Sequence, residues 1–137
     1  MSDRHAILLL RIILGARVLL GVVFFIPGVI GLLNLAPLPT TTPAAAQFVE
    51  AMVASGYLSQ ALSVFEIVCG LALIAGFFVP LALVLLAPII VNIMLYLVFL
   101  DHAGLPIGIG VVLLELFLVF FHRSAYLGLM QAQAELS

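Results

Sequence analysis

Glu115 stands in "LLELFLVFFHR", a run in which almost every other side chain is apolar. Ionisable groups inside such runs are costly to bury and are functional candidates by default. Arg17 in "GARVLLG" and Glu66 in "VFEIVCG" raise the same question. Asn92 is their polar companion, and His122 stands at the edge of its run.

Depth decides which of these can meet. At a helical rise of about 1.5 Å per residue, Glu115 lies roughly 10 Å in from the C-terminal end of its helix. Arg17 lies roughly 9 Å in from the same side if its helix begins at Arg11. A shared depth predicts a buried Arg17–Glu115 ion pair that locks the first helix to the last. Glu66 and Asn92 fall at a second level, roughly 20 and 18 Å from that side. They form a candidate polar cluster, with Tyr96 one turn further out. Glu66 has no cation at its level, so its neutral form would donate a hydrogen bond to a ligand carbonyl or relay a proton. Polar groups in membrane bundles also serve only to fix packing and register, and that plainer reading stands beside each assignment.

Several chemistries are excluded. His102 and His122 are expected at opposite membrane faces, about 30 Å apart, so they cannot ligate one haem. His122, next to Arg123, belongs at the interface, and His102 in a polar turn is solvated. The single cysteine, Cys69, allows no internal disulfide, redox pair or thiolate metal cage, and reads as a small buried hydrophobe. No HExxH, phosphate-binding loop or dinucleotide fingerprint is present. No catalytic residue set and no metal site can be assembled. Redox work by this chain would need a diffusible, lipid-soluble carrier or a partner's cofactor.

The elements that must hold these residues follow from composition. The 137 residues are 66% hydrophobic and only 7% charged, against about 25% charged in soluble domains. Mean hydropathy is +1.46. No soluble fold of this size could hide so much apolar surface. The four basic residues are all arginines and form no basic face for nucleic acid. We therefore expect an all-α integral membrane protein, an up-down four-helix bundle forming one domain over residues 1–137.

A spanning helix needs about 20 apolar residues. Four segments qualify, at about 11–35, 59–79, 80–100 and 105–122. The first could begin as early as Ala6; it is longer than a span requires, and its start is tilted or interfacial. Arg11 and Arg17 interrupt its apolar run, so it reads as an uncleaved helix and not a signal peptide. Pro27 and Pro88 predict kinks, and Pro106 suits a first turn. "APLPTTTPAAAQ" reads as an exposed loop. In "AAAQFVEAMVASGY", Phe48, Val49 and Met52 share a helical face that omits Gln47 and Glu50. This predicts a short amphipathic helix on the outer membrane surface. The links "GFFVP" and "DHAG" are short enough to force antiparallel neighbours. Arg4, Arg11, Arg17 and Arg123 fall on one side, which predicts that both termini are cytoplasmic. Ala72 with Gly76, and Gly104 with Gly108, place small residues four apart for close helix packing.

Three stretches resemble the DoxX family. "RVLLGVVFFIPGVIGLL" is similar to its first helix, and "FEIVCGLALIAGFFVPLALVLLAPIIVNIMLYLVFLD" to its second and third. In the latter, Glu66, Gly70, Leu73 and Gly76 reproduce a Glu-x-x-x-Gly-x-x-Leu-x-x-Gly pattern. "LELFLVFFHRSAY" resembles the closing helix of one DoxX-like branch. The resemblance runs from about Arg11 to Leu129. It implies a multi-pass protein of the bacterial inner membrane. Some relatives are linked to quinone reduction, as in thiosulfate:quinone oxidoreductase, others to oxidative-stress complexes or to maturation of periplasmic redox enzymes. Relatives often carry a basic residue between helices 2 and 3, where this chain has "FFVP". Relatives that use paired cysteines are not matched.

Three functional readings follow. The first is an accessory subunit of a membrane redox assembly, holding a quinone or lipid near Glu66, Asn92 and Tyr96. The second is a structural belt of a larger complex or homo-oligomer. The third is a small transporter or lipid-handling protein. An autonomous enzyme ranks last.

Overall fold

The computed structural model of the chain describes residues 2–127. The end of the resembling segment, residues 128 and 129, lies outside the described residues. The elements are α1 (Ser2–Leu32), α2 (Pro43–Ala54), α3 (Leu58–Ala75), α4 (Val79–Phe99), a 3-10 turn (His102–Gly104) and α5 (Leu105–Phe121). Expected helices 2, 3 and 4 are thus α3, α4 and α5. No strand occurs among the described residues. α1, α3, α4 and the segment ending in α5 are long and apolar enough to cross a membrane.

Local chemistry sets the ends. α1 stops at Leu32, three residues before the expected Leu35, because Asn34 turns left-handed at φ 52° and Leu35 N–H returns to the Ile30 carbonyl at 3.0 Å. At its other end α1 extends back to Ser2, well before Arg11. α3 stops at Ala75 instead of Val79 because Gly76 takes φ 85° and caps it, donating to the Ala72 carbonyl at 2.8 Å. Phe78, at φ 53°, pays a steric penalty to launch α4 immediately. α1 runs on through Pro27 and α4 through Pro88.

α1 packs on α3, α3 on α4, α4 on α5, and α5 returns to α1, with α1–α3 the most extensive pairing. Glycines explain that pairing. A Cβ on Gly21 would stand 2.7 Å from the Gly70 carbonyl oxygen, and a Cβ on Gly70 would stand 2.6 Å from that of Gly21. A Cβ on Gly28 would meet the Ser63 carbonyl oxygen at 3.0 Å and the Glu66 Cβ at 3.1 Å. The two contacts lie seven residues apart on each helix and in opposite directions, so α1 and α3 are antiparallel. The core below them is aliphatic, with Leu20, Leu73, Leu83, Leu86 and Leu118 fully enclosed. Large apolar side chains such as Phe65, Leu71, Leu116 and Ile107 stay exposed, as lipid-facing groups do.

The loop before α2 is clasped to the α4–α5 turn. Thr41 donates its N–H to Asp101 Oδ2 at 2.9 Å and its hydroxyl to Oδ1, while the Thr42 hydroxyl donates to the Leu100 carbonyl. Thr42 also caps α2 by accepting from Ala45 N–H at 3.1 Å, with Pro43 in the first turn. The expected face of α2 is real, but it turns toward protein. Ala45 is fully buried, Phe48 stacks on Tyr96 at 5.6 Å between ring centroids, and Gln47 and Glu50 are exposed.

Candidate functional site

The residues expected to cluster meet different neighbours. Glu66 is half-buried on the face of α3 that carries the Gly28 contact. Asn92 is exposed on α4. Tyr96 is half-buried under Phe48. No hydrogen bond between any two of them occurs among the described residues, and none of the three lines the groove described below.

Arg17 and Glu115 are both drawn into the bundle, yet no hydrogen bond joins them. Arg17 Nε and both Glu115 carboxylate oxygens are buried without a hydrogen-bond partner. The guanidinium explains why. Its atoms come within 3.1–3.2 Å of where a Cβ on Gly76 would stand, so Arg17 lies against the C-terminal end of α3. That end carries free carbonyls and the negative pole of the helix dipole, which attracts a cation. The cap that ends α3 thus also seats Arg17, and glycine is needed there both for φ and for space.

Glu115 is only 5% exposed. Tyr126 lies within its electrostatic reach. Residues 123–127 are helical, and Tyr126 donates its hydroxyl to the Pro80 carbonyl at 2.8 Å. Burial, then Glu115, holds the Tyr126 hydroxyl above the usual phenol range. His122 Nδ1 sits 2.8 Å from the Leu118 carbonyl and Arg123 lies over the Phe120 ring, so both contact their own helix end.

On its other side Glu115 lines a groove of about 430 Å³ between α4 and α5. Ala87, Ile90, Val91, Met94, Leu95 and Val98 form the α4 wall, and Val112, Glu115 and Leu116 the α5 wall. Its volume lies in the range of small-molecule sites. Everything but the carboxyl is apolar. The arrangement can hold a flat or chain-like apolar body, with Glu115 in the wall and both of its carboxylate oxygens buried behind the aliphatic surface. Among the described residues, no group of three or more His, Cys, Asp and Glu could hold a metal ion.

The groove was missed in the sequence although Glu115 was singled out. The pattern from Ala87 to Val98 reads as an ordinary helix face. The available signal was contrast: Gly104 and Gly108 draw α5 onto Leu97 and Met94, whereas the α4 turn around Ala87 offers only a small side chain opposite Glu115.

The DoxX family model matches residues 6–103. The matched segment covers α1 to the turn after α4 and stops before α5. No match was found among curated proteins or among solved structures.

Proposed function

The chain belongs to the DoxX family, as a multi-pass membrane protein, and from that premise we propose that it is an accessory subunit of a membrane redox assembly that holds a quinone in the α4–α5 groove. One observation carries this reading: a carboxyl that is buried, lacks any hydrogen-bond partner and borders an apolar groove open along the bundle's flank. An unpartnered buried polar group costs about 1–3 kcal/mol. A ligand that supplied a hydrogen-bonding partner would relieve that cost. The quinone ring and tail suit the aliphatic walls, and a ring oxygen suits Glu115 once its side chain turns toward the groove. This moves the ligand from Glu66, Asn92 and Tyr96 to Glu115. The chain's own part is to bind and orient; the redox cofactor belongs to a partner subunit. The inner membrane of a bacterium is the setting this role requires.

Photo-crosslinking tests the site. An azido-quinone added to the protein in nanodiscs is expected to label Val91, Leu95 and Leu116, with competition by unlabelled quinone and loss of labelling in Glu115→Leu. Labelling concentrated around Glu66 and Asn92, or labelling removed equally well by extra phospholipid, overturns it. Native mass spectrometry of the protein released from its own membranes tests the assembly. Co-release of a larger redox subunit is expected, and a bare chain carrying only phospholipid opposes the accessory role.

A further inference from the structure

Among the described residues, the first three turns of α1 have no packing partner. Residues 3–12 are all exposed, and packing against the bundle starts only at Ile13. From Ile13 to Leu32 there are enough residues to cross about 30 Å of hydrocarbon by themselves. The preceding segment therefore lies beyond the span, yet it carries Ile7, Leu8, Leu9, Leu10 and Ile12, five large apolar side chains left uncovered. Water alone is a poor environment for such a face, so another surface must cover it.

Its charge says which. Arg4 and Arg11 are seven residues apart, which on a helix places them within roughly 20° of each other and about 10 Å apart along the axis. Ile7 and Leu8 lie between them, and these four residues line a shallow concavity of about 300 Å³. Neither arginine forms an ion pair with a described residue. Asp3 is the one acidic residue in the segment. Arg17 lies on another side of the helix and is held at Gly76. An arginine at each end of an apolar step matches a phospholipid: guanidinium forks take the phosphate, and the leucine and isoleucine meet the start of the acyl chains.

We propose that the projecting start of α1 docks on the bilayer surface through an anionic phospholipid held by Arg4 and Arg11 over Ile7 and Leu8. The proposal is independent of the α4–α5 groove. The docked helix would lie in the headgroup layer and fix the tilt of α1 where it enters the bundle.

The chain contains no tryptophan, so Leu8→Trp gives a clean reporter in the full-length protein. The probe is a nanodisc of phosphatidylcholine alone or mixed with phosphatidylglycerol. In the mixed bilayer, the emission is expected to shift to the blue and to be quenched by brominated lipid. Arg4→Gln with Arg11→Gln should weaken docking about twenty-five-fold, at roughly fivefold per arginine. Arg123→Gln, at the other end of the chain, should leave docking unchanged. Equal quenching in both bilayers, or no effect of the double variant, overturns the proposal. So does a blue shift that appears only in nanodiscs holding two copies, which would make a second chain the covering surface.

Discussion

The α1–α3 and α4–α5 pairs use glycine in opposite ways. In α1–α3, Gly21 and Gly70 put backbone against backbone, so nothing can enter between the helices. In α4–α5, Gly104 and Gly108 receive the flexible ends of Leu97 and Met94, and a groove runs alongside. One interface is closed by atoms that cannot move, the other is lined by side chains that can. The difference teaches where ligand binding can evolve in a small bundle. A rigid pair anchors the fold, and the looser pair can tolerate an unpartnered carboxyl.

The largest expected effect is at the rigid pair. Gly70→Leu should abolish the folded bundle, with a loss above about 3 kcal/mol, because the new side chain meets the Gly21 carbonyl and the Phe25 amide nitrogen at 2.9 Å. Steady-state level and thermal unfolding in detergent check this. A folded Gly70→Leu protein with unchanged melting would remove the distinction between the pairs.

Next comes Glu115→Leu, which separates stability from binding. Removing a buried, unpartnered carboxyl should raise stability by about 1–3 kcal/mol. The same change should lower quinone affinity at least tenfold, roughly the value of one hydrogen bond to a buried polar group. Parallel melting curves and quinone titrations measure both. A fall in stability would mean that Glu115 is a packing group. Ala87→Leu, which fills the groove opposite, should lower affinity while leaving the melting temperature within a few degrees.

A smaller effect belongs to the clasp. Hydrogen bonds from the Thr41 hydroxyl and then the Thr41 N–H hold the Asp101 carboxyl below the ordinary value of 3.8. A depressed carboxylate contributes stability that is fully present above the unfolded value and lost as pH falls through the folded one. The clasp should therefore be unchanged between neutral pH and about pH 5 and weaken only below about pH 4. Hydrogen exchange of the Thr41 amide across that range reads it directly, and Asp101→Asn should remove most of the dependence.

The smallest effect sharpens the comparison from within α5. A Cβ on Gly110 meets nothing within 4 Å, so Gly110→Ala should stabilise by about 0.5–1 kcal/mol through helix propensity alone. The same substitution at Gly108, against Leu97 and Met94, should destabilise.

The spans were legible because length and apolarity are enough to identify them. Their ends were less so: Gly76 and Asn34 stop helices by taking a left-handed backbone, which a hydropathy run does not record. Glu115 and Arg17 were recognised as unusual from their surroundings, and their shared depth suggested a pair. What depth cannot supply is azimuth. Arg17 lies against Gly76 at the end of α3 instead, a neighbour with no acidic side chain and so invisible to a search for one. Glu66, Asn92 and Tyr96 were grouped by the same arithmetic, and azimuth leaves Glu66 against Gly28, Tyr96 under Phe48 and Asn92 exposed. Asp101 was taken only as a charge in a short link; its distant partner is Thr41, 60 positions earlier, a separation no local pattern spans.

That separation has a consequence for synthesis. Thr41 and Asp101 stand 60 residues apart, and α1 and α3 can meet as soon as both have left the ribosome. The clasp cannot close until α4 has been made and its following turn has emerged. It therefore reports on completion: a chain truncated before Asp101 can still hold the paired glycines and stack Phe48 on Tyr96, but the loop before α2 lacks its tie through Thr41. Proteolysis at the loop before α2 would then distinguish finished molecules from unfinished ones while both sit in the same membrane.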